Sequence, residues 1–117
     1  MGFLTDAVDY VTGELTTAGL NNVTSDIRNL NTPGILVDPP TIATLSPGAG
    51  AATLVFQIIV VAPPPAAGPA VRNILDRADT IMQIVGLNVT GGTPSAITVG
   101  QTELPAYTLT ATIPFRR

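Results

Sequence analysis

Two pairs of carboxylates, Asp6 with Asp9 and Asp76 with Asp79, are spaced to lie one helical turn apart. Such a pair could ligate a hard cation or divide the roles of general acid and base. Asp76 and Asp79 flank Arg77, however, which favours a plain solvated helix face. Little else in the chain could do chemistry. There is no histidine, cysteine or tryptophan, and all five basic residues are arginine. That removes the general base near neutral pH, the thiol nucleophile, the Schiff-base amine and the soft metal ligands. Without histidine, the serines and threonines cannot form a Ser-His-Asp arrangement. Gly48-Ala49-Gly50 and Gly91-Gly92-Thr93 are glycine-rich. They lack the phosphate-loop lysine and the strand–glycine–helix order, so they are expected to be loops. Asn22-Val23-Thr24 and Asn88-Val89-Thr90 match the N-glycosylation acceptor but, with no secretory signal, mark turn-rich segments. The expectation is a structural protein rather than an enzyme, with no catalytic, cofactor-binding or metal-binding residue and no cofactor.

The chain has 117 residues and a mass of 12.0 kDa, which fits one domain spanning residues 1–117. Charged residues make up 11% and hydrophobic residues 45%, and the mean hydropathy is +0.42. Disordered chains show the opposite balance. With so few charges to solvate a free surface, part of the apolar surface is expected to meet a partner. The net charge of -3 and pI near 4.4 argue against a basic nucleic-acid footprint. Arg116 and Arg117 form the one basic pair. They could contact phosphates or an acidic partner, but a solvated tail is the simpler account. Asp6 and Asp9 near the start, without a basic segment before them, predict no secretory signal. The apolar run Leu54 to Ala62 is interrupted by Gln57 and stopped by Pro63-Pro64-Pro65. It falls far short of the roughly 20 residues of a membrane-spanning helix.

The elements follow from periodicity. Residues 5–18 read as an amphipathic helix with Leu4, Val8, Val11, Leu15 and Ala18 on one face. Thr5 suits its start, Gly19 a left-handed stop, and Leu20 folds back on the last turn. Gly13 costs this helix about 1 kcal/mol relative to alanine, so docking must hold it. A strand is expected over about 35–43, where Ile35-Leu36-Val37 precedes Asp38-Pro39-Pro40 and Thr41 to Leu45 continues or returns antiparallel. The strand 53–62 is apolar on both alternating sets, which predicts a central position. A second helix is expected over 69–85, with Val71, Ile74, Leu75, Ala78, Ile81, Met82 and Val85 in one arc and Gly86 as its end. Ile84 lies off that arc, covered either by the following loop or by another subunit. Gly91-Gly92-Thr93-Pro94 reads as a turn, 96–99 as a short strand and Gly100 to Pro105 as a loop. Over 106–115, Tyr107, Leu109, Ala111, Ile113 and Phe115 alternate with Thr108, Thr110, Thr112 and Pro114. That is a strand with one face in the core and the other wet or in an interface. The fold class is α+β, a mixed or antiparallel sheet with two helices packed on it.

The segment Asn31-Thr32-Pro33-Gly34-Ile35-Leu36-Val37-Asp38-Pro39-Pro40-Thr41-Ile42 turns through proline–glycine into a short apolar strand that ends at a proline. With the helix Ala70 to Val85 and the later Pro105-Ala106-Tyr107-Thr108-Leu109-Thr110, it resembles tail terminator proteins of long-tailed, siphovirus-like bacteriophages. The likeness runs over nearly the whole chain. The lack of lysine is similar to phages of high-GC hosts such as actinobacteria. The resemblance implies a tail-terminator-like subunit of a homo-oligomeric, hexameric ring in the virion neck, made in the host cytoplasm. The ring would cap the tail tube protein on one side and meet the head connector or another neck protein on the other. DNA would pass through its lumen without specific binding, and no membrane would be involved. Other neck proteins (head closure, head–tail joining) and a small monomeric assembly-binding module are the alternatives. For ring contacts the sequence offers the exposed side of 107–113 and the edge near 35–42, while the loops 44–52 and 90–104 are candidates to order only against the tube or the connector.

Overall fold

The longest apolar run of the chain occupies the middle of the sheet. In the computed structural model, which describes residues 3–20, 22–25, 34–46, 51–62, 68–99 and 102–116, this run is the eleven-residue strand β4, Ala51–Val61. Helix α1 is Phe3–Thr17, followed by the strands β1 (Val23–Thr24), β2 (Gly34–Val37) and β3 (Thr41–Ser46). After β4 come helix α2 (Gly68–Met82), one 3-10 turn (Val85–Leu87), and the strands β5 (Val89–Val99) and β6 (Thr102–Arg116). The architecture is α+β: among the described residues, two helices and a mixed six-stranded sheet.

The sheet runs β1-β2-β4-β6-β5, with β3 also paired to β4. Along its whole length β4 pairs with β6, from Ala51 opposite Arg116 to Val61 opposite Ala106. Strands β2 and β3 therefore share its other edge, β2 opposite residues 58–61 and β3 opposite residues 51–55. The strand expected over 35–43 is thus two strands in one line. Asp38-Pro39-Pro40 divides them because neither proline can donate to the ladder. The amide of Asp38 still donates to the Gln57 carbonyl at 3.0 Å, which keeps both pieces on the same edge. A second irregularity lies between Ile42 and Thr44. The two-residue strand β1, parallel to β2, falls in a polar stretch that carries no strand signal.

The alternation along β4 divides the protein into two sides. Leu54, Phe56, Ile58 and Val60 are fully buried on the side that carries both helices. They meet Ala7, Val11 and Leu15 of α1, Ile74, Ala78 and Ile81 of α2, and Leu109, Ala111 and Ile113 of β6. Each large side chain in this core contributes about 1.5–3 kcal/mol. The opposite side holds a smaller cluster of Leu36, Ile59, Val61, Leu104 and Ala106 at one end. At the other end it holds half-buried Thr53, Gln57, Thr108, Thr110 and Thr112.

The end of α1 follows from its sequence. Gly19 has φ 90°. Its amide donates to the Thr16 carbonyl at 3.0 Å, and the Leu20 amide donates to the Leu15 carbonyl at 3.3 Å. This is the paired closure that a left-handed glycine permits, and Leu20 packs onto the core beside it. The helix begins at Phe3, so Thr5 lies inside the first turn, and Leu4 and Ala18 are exposed rather than on the buried stripe.

Three further expectations are corrected. Helix α2 ends at Met82, not 85. The amides of Gln83 and Ile84 donate to carbonyls three residues back, tightening the exit before Gly86 is reached. The strand expected over 96–99 begins at Val89, so Gly91-Gly92-Thr93-Pro94 is strand rather than turn. Strand β6 begins at Thr102, so Glu103 to Pro105 pair with β5 instead of forming a loop. Proline and glycine are tolerated in β5 because it is an edge strand. Gly92 also has a packing reason: a Cβ there would stand 2.7 Å from Leu109 Cδ2 and 2.9 Å from Tyr107 Cε1.

Replacing Gly92 with alanine is expected to destabilise the fold by about 1–3 kcal/mol through this overlap. Replacing Gly13, which is exposed in α1 and has no atom within 4 Å of a built Cβ, is expected to stabilise it by about 0.5–1 kcal/mol. Urea unfolding of the two variants checks both signs.

Candidate assembly surfaces

Three strands have an unpaired edge, β5 on one flank and β3 with the two-residue β1 on the other. Strand β5 pairs only with β6, and described positions 90–96 and 98 are exposed. Strand β3 pairs only with β4, and Thr41, Ile42, Ala43 and Thr44 are exposed. Exposed edges present unpaired N–H and C=O groups, and proteins that keep them free usually place charges on them. Neither TIATLS nor VTGGTPSAITV contains a charged residue. Pro94, which lacks one donor, and a bulge between Val89 and Gly91 are the features that interrupt β5. Strand β6 is flanked by β4 and β5 throughout 106–111, and the face of 107–113 expected to be wet or in an interface carries the half-buried Thr108, Thr110 and Thr112.

The second exposed feature lies on α2. The helix packs over β4 and β6, while α1 lies over β1 and β2. Ile74, Ala78 and Ile81 face the sheet. On the flank nearer α1, Asn73, Arg77, Thr80 and Ile84 are half-buried. The opposite flank, turned toward the β5 side, exposes Val71 at 42%, Leu75 at 50% and Met82 at 53%. The apolar arc read from the sequence is therefore only partly covered by the sheet. Ile84 is accounted for within the chain, since it packs against the helix-side core. Asn73 Oδ1 is buried without a hydrogen-bond partner, a local cost of about 1–3 kcal/mol.

Most of the charge among the described residues lies on the two helices, with Asp38, Glu103 and Arg116 on or beside the strands. Asp6, Asp9 and Glu14 on α1 with Asp76 and Asp79 on α2 make five carboxylates against the two arginines Arg72 and Arg77, a net -3. That equals the net charge of the whole chain. Asp6, Asp9, Asp76 and Asp79 are all exposed, as expected of solvated helix faces. No group of three or more carboxylates among the described residues could hold a metal ion. Of the glycosylation-like segments, Asn88 is structural. It sits at φ 46°, and its Nδ2 donates to the Thr112 carbonyl at 3.0 Å, tying the start of β5 to β6. Asn22, at φ 58°, offers its carbonyl to the Ile35 amide. Residues 47–50 of the expected loop 44–52, residues 100 and 101 of the expected loop 90–104, and Arg117 lie outside the described residues. The rest of both expected loops is strand.

One polar contact joins α1 to the turn after α2. Tyr10 Oη donates to the Gly86 carbonyl at 3.2 Å, beside the Glu14 carboxylate. Partial burial, then the negative charge and hydrogen bonding of Glu14, raise the Tyr10 phenol above its ordinary 10.0. No sequence signal identified this contact, because it joins residues 76 positions apart.

The chain matches no protein-family model, and no curated protein matches it. Among the described residues no helix is long and apolar enough to cross a membrane.

The raised phenol means the folded protein holds its Tyr10 proton to higher pH than the unfolded chain does. The resulting stability is fully present below pH 10.0 and is lost as pH rises through the raised value. Melting temperature is therefore expected to fall above pH 10, and Tyr10→Phe to flatten that fall. Thermal scans from pH 8 to 11 on both proteins test this.

Proposed function

We propose that this chain is a structural virion subunit that self-assembles into a ring, the tail terminator of a long-tailed bacteriophage. In this role it caps the tail tube, ends tail polymerisation and offers its other side to the head connector. The observation that carries self-assembly is the pair of open, uncharged sheet edges on opposite flanks of one subunit. Two different surfaces on opposite flanks suit head-to-tail contacts, which form a ring when the rotation between copies closes. A monomeric binding module would instead need one localised apolar groove, so the edges favour the ring. The choice of terminator rests on the resemblance of the 31–42 segment and of the helix with the later strand. Head closure and head–tail joining proteins remain the neighbouring assignment.

The charge layout is compatible with a DNA conduit. Six copies would carry about -18, and the two helices of each subunit contribute a net -3. The opposite side, between Ala51 and Val61 and between Leu104 and Pro114, has no charged residue. A net negative ring would repel phosphates, so a genome would slide through rather than stick.

Negatively stained images and native mass of the purified protein, alone and with tail tubes, test the proposal. Sixfold rings, free or seated on tube ends, are the expected result. A strictly monomeric particle that also fails to bind tubes would overturn it. Removal of residues 46–50 is expected to weaken docking to the tube.

A further inference from the structure

The directions of the strands constrain how two copies could meet. Strand β3 is antiparallel to β4, β4 to β6, and β6 to β5. The two open edges of one subunit therefore run in opposite senses. When a second copy is placed alongside with its sheet facing the same way, its β3 runs antiparallel to the first copy's β5. This continues the ladder already present between β6 and β5.

We propose that β5 of one subunit pairs antiparallel with β3 of the next copy, bringing Ile42 against the exposed flank of α2 formed by Val71, Leu75 and Met82. This rests on the ring assignment above and names the surfaces that close it. Ile42 lies opposite the buried Leu54 and so belongs to the helix-bearing side, yet it is 45% exposed. On the β5 side, the positions facing the same way are Gly92, Pro94 and Ala96, small and exposed, with the bare flank of α2 above them. A large side chain without cover on one flank thus matches a floor of small residues and an apolar wall on the other.

A two-fold pairing of β5 with itself is also antiparallel. It would leave β3 and Ile42 bare, and β3 is as devoid of charge as β5. Only the mixed contact covers both edges with one kind of interface. The edges are also offset. Strand β5 lies level with residues 102–111 of β6, and β3 lies level with residues 112–116. Successive copies are therefore displaced by about 25 Å along the strand direction, from about 3.4 Å of rise per residue. Strands in the ring would be inclined to its axis, as strands in closed sheets are.

The absence of cysteine permits a direct test. Thr44→Cys and Thr93→Cys each place a single thiol on the helix-free face of an edge strand, both at exposed positions. Rings or capped tubes assembled from an equal mixture, one variant isotopically labelled, are treated with a short thiol–thiol cross-linker and weighed. The expected product is the mixed dimer, with neither variant linking to itself. Self-linked Thr93→Cys, or rings with no mixed product, would overturn the pairing while leaving the ring assignment intact. Failure to form any ring on tubes or in solution would overturn both. As a second measurement, Ile42→Asp and Leu75→Asp are expected to lose assembly with unchanged thermal unfolding. Leu4→Asp, exposed on α1, is expected to retain assembly. Assembly that survives both of the first two substitutions would also overturn the pairing.

Discussion

The structure depends on β4 being apolar on both of its faces. A strand with only one apolar side would close a single core under the helices and leave its reverse open to water. Here Phe56, Ile58 and Val60 anchor the helices, while Ile59 and Val61 hold Leu36, Leu104 and Ala106 on the reverse. Register along β4 is correspondingly strict, since a slip by one residue would move Gln57 into the helix-side core. The long neighbour β6 runs past β4 and β5 alike and joins the two hairpins into one sheet.

Much of this organisation was legible in the sequence, because local chemistry and period agreed. The left-handed stop at Gly19, the central placement of 53–62 and the alternation of Tyr107 to Ile113 each have a local cause that survives folding. Strand β5 was not legible. Gly91-Gly92-Thr93-Pro94 has the composition of a turn, and it becomes strand by pairing with residues 107–110 of β6, with Gly92 leaving room for Tyr107 and Leu109. That is a tertiary cause. The pieces 34–37 and 41–46 show the same limit. A proline pair signals interruption, but only pairing to a common partner reveals that both halves lie on one edge.

The exposed apolar surface was partly legible. Sparse charge predicted an unsatisfied surface without locating it. Periodicity predicted the apolar arc of α2, yet the width of a helix's contact with a sheet depends on how far the sheet extends beneath it. Ile74, Ala78 and Ile81 use that contact, and Val71, Leu75 and Met82 fall beyond it. Position along the sheet also decides which strands are edges, and that makes β5, rather than β6, an end strand. The scarcity of reactive side chains was plain from composition alone.

The absence of charge from β3 and β5, beside helices rich in carboxylates, has a consequence for ionic conditions. Contacts made through backbone groups and apolar side chains along the bare edges contain nothing for counter-ions to weaken. Salt would instead mute the mutual repulsion of neighbouring acidic helix layers, and strongly hydrated anions such as sulfate would favour burial of the apolar flanks. A joint built in this way tightens in brine, whereas complexes held by opposite charges loosen there.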